Sequence, residues 1–398
     1  MTPMWPIHTA QPALYAAFDR FPSAKGAATH IRHAAASLAA AYGSTWLTVL
    51  GSPTLPQFQQ EGPITIWRWH AQAATNMLDR AAAYSSWLEG IVRHIGPSLQ
   101  VTQFRDPWSG IAILRASERH THHVYEINGL PSIELSERYP WLAPATQAKL
   151  RALEQYCWQH AAAIVTPGHT LAANLIGLGV AAEKIHVIPN GAELPTVQPR
   201  PPAAPLHYLL YCGALQPWQG VDTLLRAFAL LQDWPNLQLV VIAANPAQQA
   251  RRLQRLAAQL GIARQVQWFF QLAQPQVLAW LQHAQASVAP LRECARNIEQ
   301  GACPLKILES LASAVPVVAA DLPSVREVMQ DGRHGYLVRP DRPAELSRAL
   351  RRLLEEPEQA RRMGAQGRDW IAEHFTWSLA ERRSQTLYRQ FQNSPTVA

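Results

Sequence analysis

Lys306 and Glu309 stand three residues apart in the run Cys303-Pro304-Leu305-Lys306-Ile307-Leu308-Glu309, so on a helix they are neighbours one turn apart. Proline suits a first helical position, because it has no N–H to leave unpaired and its φ is already helical. The helix is therefore expected to begin at Pro304. Leu305, Leu308, Leu311 and Ala312 recur at helical spacing as a buried side, with Lys306, Glu309, Ser310 and Ser313 on another. The unpaired amides and partial positive charge of a helix start attract an anion. A phosphate fits against Cys303, Pro304 and Leu305 with the Lys306 ammonium alongside. Glu309, a turn deeper, is placed to accept hydrogen bonds from two ribose hydroxyls. The chemistry is that of a nucleotide-binding edge.

The lysine is unusual within its own chain, because only Lys25, Lys149, Lys184 and Lys306 interrupt the arginines among 35 Lys+Arg. Lys25 lies beside a glycine turn at Gly26, a second place for a compact ammonium to approach a phosphate. Gly213 follows a strand and lets backbone come close to a phosphate. Gln219 offers a hydrogen bond without charge. Glu126 and Asn128 close another strand and suit the hydroxyls of a bound substrate, with turn chemistry for Asn128-Gly129 the competing reading. His120, His122 and His123 read as a solvated strand edge rather than a base or a metal site. There is no D-x-D, no C-x-x-C and no histidine at ligand spacing, so neither a metal nor a cofactor is expected. The charge of a bound phosphate would then be met by Lys306, helix N-termini and backbone N–H groups. The absence of G-x-G-x-x-G argues against a nicotinamide dehydrogenase.

Positioning these groups requires strands whose ends carry them. Ala13 to Phe18 reads as a strand, followed by a turn and an alanine-rich helix over 27–42, and strand candidates at 46–49, 64–67, 99–102, 124–127, 163–166 and 185–188 alternate with helices at 77–95, 108–118, 145–160 and 168–178. That pattern predicts a doubly wound α/β domain over 1–190. The proline-dense segment 195–205 marks a linker. Strands near 207–212, 237–242, 265–268, 286–289, 315–320 and 335–338 then alternate with helices through 371, a second such domain over 191–375. In doubly wound sheets ligands bind outside the carboxyl ends of the strands, which would gather the loops at 19–26, 127–131, 213–220, 243–246 and 290–304.

The donor-side run resembles the signature of the retaining glycosyltransferases of family 4, E-x7-E followed by G-x-P-V-V-A. Glu309 matches the second glutamate, while the position of the first is Gly301. Tyr211-Cys212-Gly213-Ala214-Leu215 through Gly220-Val221-Asp222 is similar to the family's Y-x-G-R-L-x-x-x-K-G-x-D turn, with Ala214 and Gln219 in place of its two basic residues. Val187 to Gly191 matches V-I-P-N-G, Phe375-Thr376-Trp377 matches F-x-W, and the Phe18 to Gly26 turn extends the likeness over nearly the whole chain. The resemblance implies a GT-B architecture, two Rossmann-like domains facing across a cleft, with a terminal helix over 376–392 returning to the first. It also implies metal-independent transfer with retention, in which the donor's own phosphate oxygen takes the acceptor proton as nucleoside diphosphate departs on the same face.

Composition bounds this reading. A chain of 398 residues with 48% hydrophobic and 16% charged side chains is globular and long enough for two domains. The net charge of +7 is spread over both halves with no lysine-rich run, which weakens a nucleic-acid partner. No apolar stretch is long enough to span a membrane and no signal-like N-terminus is seen, so a cytoplasmic protein is expected, possible peripheral association with the inner face of the plasma membrane included. The expected partners are a nucleotide sugar donor and a glycan or lipid-linked saccharide acceptor. The alternatives are a catalytically degenerate sugar-nucleotide or glycan-binding protein on the same scaffold, motivated by Ala214, Gln219 and Gly301, and a nucleotide-sugar epimerase.

Overall fold

A computed structural model describes residues 11–23, 26–70, 76–301 and 303–393. Lys25 lies outside them. The first sheet is built from β1 (Ala13–Arg20), β2 (Thr45–Leu50), β3 (Phe58–Glu61), β4 (Ile64–Trp69), β5 (Val101–Phe104), β6 (His122–Glu126), β7 (Ala163–Thr166) and β8 (Ile185–Val187). Its order is β3-β4-β2-β1-β5-β6-β7-β8, parallel except for the β3–β4 pair. The second comprises β9 (His207–Gly213), β10 (Leu237–Ala243), β11 (Val266–Phe270), β12 (Ala286–Ala289), β13 (Val317–Ala320) and β14 (Gly335–Val338), in the order β11-β10-β9-β12-β13-β14 and parallel throughout. Runs such as Leu239-Val240-Val241-Ile242 and Val317-Val318-Ala319 are apolar without alternation because helices cover both faces.

Both sheets reverse direction beside their first strand, between β1 and β5 and between β9 and β12, and each reversal opens a crevice at the carboxyl ends of the strands. The two crevices face one another, since the loops leaving them touch. A Cβ on Gly26 would come within 2.7 Å of Leu305 Cδ1, and the Leu130 amide donates to Gln300 Oε1 at 2.8 Å.

Successive residues of β1 serve different cores: Leu14 and Ala16 pack on one face, Ala13, Tyr15 and Ala17 on the other. The second face is sealed by the helix Trp377–Asn393, whose Trp377, Leu387 and Tyr388 are buried there. Trp377 stacks on His33 with centroids 4.2 Å apart, and Tyr388 donates to Gln103 Oε1 at 2.6 Å. The main chain therefore crosses between the sheets twice. The crossings run side by side, with Ala192 N donating to Phe375 O at 2.8 Å and Ala192 bridging Thr376 in parallel.

Two elements depart from expectation. The polar segment Phe58–Glu61 forms an antiparallel edge strand on β4, where a mostly exposed backbone has only one neighbour to satisfy. A helix Pro131–Arg138 follows Asn128-Gly129 directly, its proline serving the first turn. His122 and His123 are also not a solvated edge. His123 bonds Thr102 at 2.8 Å and burial pushes its imidazole down to about 4, while His122 stacks on Phe391.

Candidate functional site

The helix Leu305–Ala312 is the crossover from β12 to β13, which aims its N-terminus at the carboxyl end of β9. It begins one residue later than expected. Pro304 is the capping residue, with an extended backbone (ψ 99°) and a carbonyl that accepts from Ile307 N at 2.9 Å. Ile307, Leu308, Leu311 and Ala312 are buried. So is Ser310, which bonds Ser287 at 2.8 Å and therefore belongs to the inner side rather than the polar one. Leu305 is half-buried against Gly26.

Lys306 reaches the end of β9. Its Nζ lies 3.2 Å from Tyr211 Oη and 4.5 Å from the centroid of that ring, and it donates to Gln219 Oε1. A Cβ on Gly213 would stand 3.0 Å from the ammonium, so glycine leaves room for it and for a ligand backed by the strand end. Among the described residues no carboxylate forms an ion pair with Lys306. Burial pushes the amine down to about 7, opposed by the neighbouring Cys212 and assisted by the Arg296 guanidinium. Glu309 does not pair with it. Its Oε1 accepts from Gln274 Nε2 at 2.9 Å, and burial pushes the carboxyl up to about 7 against that hydrogen bond. The site thus holds a cation without an anion and, one turn away, an acid made reluctant to ionise, a combination that clusters at binding and catalytic sites.

The loop 290–304 frames this pair. Arg292 is held by Asp222 and by Asp341 at 3.4 Å. Arg296, in a single π-turn over Arg296–Gln300, lies 5.6 Å above the Trp218 ring and 3.5 Å from Glu134 Oε1 of the facing domain. Both guanidiniums are paired with carboxylates, unlike Lys306 among the described residues.

On the facing side Glu126 corrects its expected role. It is 2% exposed, and its carboxylate takes hydrogen bonds from Tyr15 at 2.9 Å, Gln103 at 2.8 Å and Asn128, with His30 at 2.7 Å. Burial alone would raise this acid. The facing His30 and Arg105 and these bonds outweigh that cost and hold it down to about 2. It is an internal anchor that orients Asn128, leaving little for a sugar hydroxyl. Cys303 likewise turns from the cleft: its carbonyl accepts from Asn190 Nδ2 at 3.0 Å, and its buried side chain lines a cavity of about 360 Å³ behind the junction. That cavity is shared by Thr170, Ser324 and Trp370, and Lys306 does not line it. Tyr211 and Gln274 were not among the sequence candidates, whereas Arg296 lies in the loop 290–304 that the sequence gathers at the strand ends. Of the first two, Tyr211 alone had a signal, the first letter of its turn motif. Gln274 comes from a segment whose proximity only the tertiary fold creates. Among the described residues no three His, Cys, Asp or Glu side chains gather as a metal site.

Two doubly wound sheets with opposed carboxyl ends and a phosphate-type helix start between them constitute a GT-B arrangement. Residues 25–191 match the glycosyl transferase 4-like domain and residues 200–370 match the glycosyl transferases group 1. The chain belongs to the GT-B glycosyltransferases of the family 4 type. It is 30% identical over 217 residues to an MMP alpha-(1->4)-mannosyltransferase of Mycolicibacterium hassiacum, covering 54% of this chain and 51% of that one. The chain spans 51% and 39% of the length of the first two curated relatives it matches. The fold is shared with the sucrose-phosphate synthase of Thermosynechococcus elongatus (TM-score 0.78, 19% identity, 96% of this chain and 100% of that). It is shared too with Anabaena HepE in complex with UDP-glucose (TM-score 0.71, 16% identity, 95% and 99%).

Proposed function

We propose that the protein transfers a sugar, with retention and without a metal ion, from a nucleotide diphosphate sugar to a hydroxyl of a glycan or lipid-linked acceptor. The observation that carries this reading is Lys306. Where the family turn usually supplies basic residues at positions 214 and 219, this chain has Ala214 and Gln219, and the ammonium of Lys306 is bonded to Gln219 itself. Lys306, from another helix, brings a positive charge to that turn. A diphosphate would lie against Gly213, Lys306 and the amides following Pro304, with the ribose toward Glu309. Transition-state charge on the departing phosphate is met by that ammonium and the helix start, preorganised in a partly closed site. Alignment of donor and acceptor between the two domains contributes the rest.

We place the reaction in the cytoplasm, at the inner membrane face when the acceptor is lipid-linked; no described helix is long and apolar enough to cross a membrane. The losses at 214, 219 and 301 favour a second reading, a binding protein without turnover. Both are separated by one experiment. UDP-, GDP- and ADP-sugars are screened for stabilisation against heat, and the stabilising donor is incubated with candidate acceptors while the anomeric configuration of the product is followed by NMR. Retained configuration and undiminished turnover in EDTA are expected. Donor binding with no product would establish the binding protein, and strict dependence on added Mg²⁺ or Mn²⁺ would overturn the metal-free mechanism.

A further inference from the structure

Glu134 is an acid at the junction that the reading above does not use. It belongs to the helix Pro131–Arg138 of the first domain, yet both its side-chain partners come from the second. Oε1 accepts from Gln300 Nε2 at 2.9 Å and stands 3.5 Å from Arg296 Nε. No described residue forms a hydrogen bond to Oε2, and the side chain is 36% exposed. Oε1 also lies against Gly129, 2.8 Å from where a Cβ would be. The carboxylate therefore sits where the acceptor-side loop meets the loop leading to Lys306.

Position 301 cannot supply an acid to this place. Gly301 has φ +63°, a conformation side chains rarely adopt, and a Cβ there would meet Thr170 Cγ2 at 3.0 Å and Ser324 Cβ at 3.5 Å. Thr170 and Ser324 belong to the cavity behind the junction, so such a side chain would start out away from the cleft. Arg296 connects the facing acid to the donor site, touching Glu134 on one side and bearing electrostatically on Lys306 on the other. A carboxylate with an oxygen that no described residue bonds, set where Gly129 meets the loop 290–304 that leads to Lys306, is chemically suited to the hydroxyls of a sugar ring, as an acceptor of hydrogen bonds.

We propose that Glu134, supplied by the opposite domain, holds the hydroxyls of the transferred sugar. The proposal rests on the donor-site reading of Lys306 and Glu309. It makes sugar recognition a property of the assembled cleft, because nucleotide contacts come from one domain and the sugar contact from the other.

The test compares nucleotide with nucleotide sugar by titration calorimetry, using UDP against UDP-glucose and GDP against GDP-mannose. Glu134→Gln keeps the shape and loses the charge. It should bind the preferred nucleoside diphosphate within about twofold of wild type, and bind the matching nucleotide sugar about 10- to 100-fold more weakly, the size expected for hydrogen bonds to a charged group. Wild-type affinity of Glu134→Gln for the nucleotide sugar would overturn the proposal, and so would equal weakening of both ligands, which is the signature of a purely structural latch. Lys306→Ala is the separate control, expected to weaken both ligands. If no UDP-, GDP- or ADP-sugar of the heat-stabilisation screen binds wild type, the donor-site reading itself fails and this proposal falls with it.

Discussion

At the scale of the residue, the site depends on two groups displaced toward neutrality from opposite sides. Lys306 is pushed down and Glu309 up, each to about 7, and burial is the leading cause in both. An arriving diphosphate favours the ammonium, so above about pH 7 binding should draw a proton onto Lys306; ribose hydroxyls donating to Glu309 favour the carboxylate, so below about pH 7 binding should release one. Calorimetry of a nucleotide sugar in buffers of different ionisation enthalpy should show net uptake at about pH 8 and net release at about pH 6. Lys306→Ala should abolish the uptake and Glu309→Gln the release. In kinetics, Lys306→Ala should lower kcat by about 10²–10³, as loss of one preorganised donor does, and donor affinity by less. Because Lys306 Nζ is bonded to Gln219, Gln219→Lys should return part of the rate in that background. Turnover of Lys306→Ala within twofold of wild type would place the charge elsewhere.

At the scale of the element, the site is an agreement between two loops held by main-chain contacts. Gly220 has φ +67°, and a Cβ there would fall 1.7 Å from Pro290 O, while Arg292 N donates to Trp218 O at 3.0 Å and Asn297 Nδ2 donates to the same oxygen at 2.9 Å. Gly220→Ala should cost about 3 kcal/mol or more, read from urea unfolding, because backbone strain and a backbone clash coincide. An unchanged midpoint would mean that the two loops are not locked together. Much of this level was legible beforehand. Apolar runs marked the strands and Pro304 marked the donor helix to within one residue. The edge strand Phe58–Glu61 was hidden because its FQQE sequence has no apolar alternation, its pairing being satisfied by β4 alone. The inward turn of Glu126 was hidden for a different reason: its partners Tyr15, Gln103 and His30 lie on β1, β5 and the helix Gly26–Tyr42, and only strand order brings them to one point.

At the scale of the whole molecule, the domains are joined behind the cleft by an acid capping a helix across the interface. Glu327 accepts from His169 N and Thr170 N, each at 2.7 Å, at the start of the helix His169–Gly177. A carboxylate at a helix N-terminus, bonded to two amides, contributes about 1–2 kcal/mol when partly exposed. Glu327→Ala should therefore loosen the pair of domains, with a larger radius of gyration by solution scattering that a nucleotide sugar reverses. An identical scattering curve would assign the stiffness to other contacts. The paired crossings at Ala192 and Thr376 set what kind of loosening is available. A single tether would act as a swivel, free to turn about three axes. Two strands fastened side by side resist torsion and sideways swing and leave bending about one line through the fastening. Opening the molecule is then motion along a single coordinate, and each closing would return the same pair of surfaces, Glu134 and Lys306 included, to the same register.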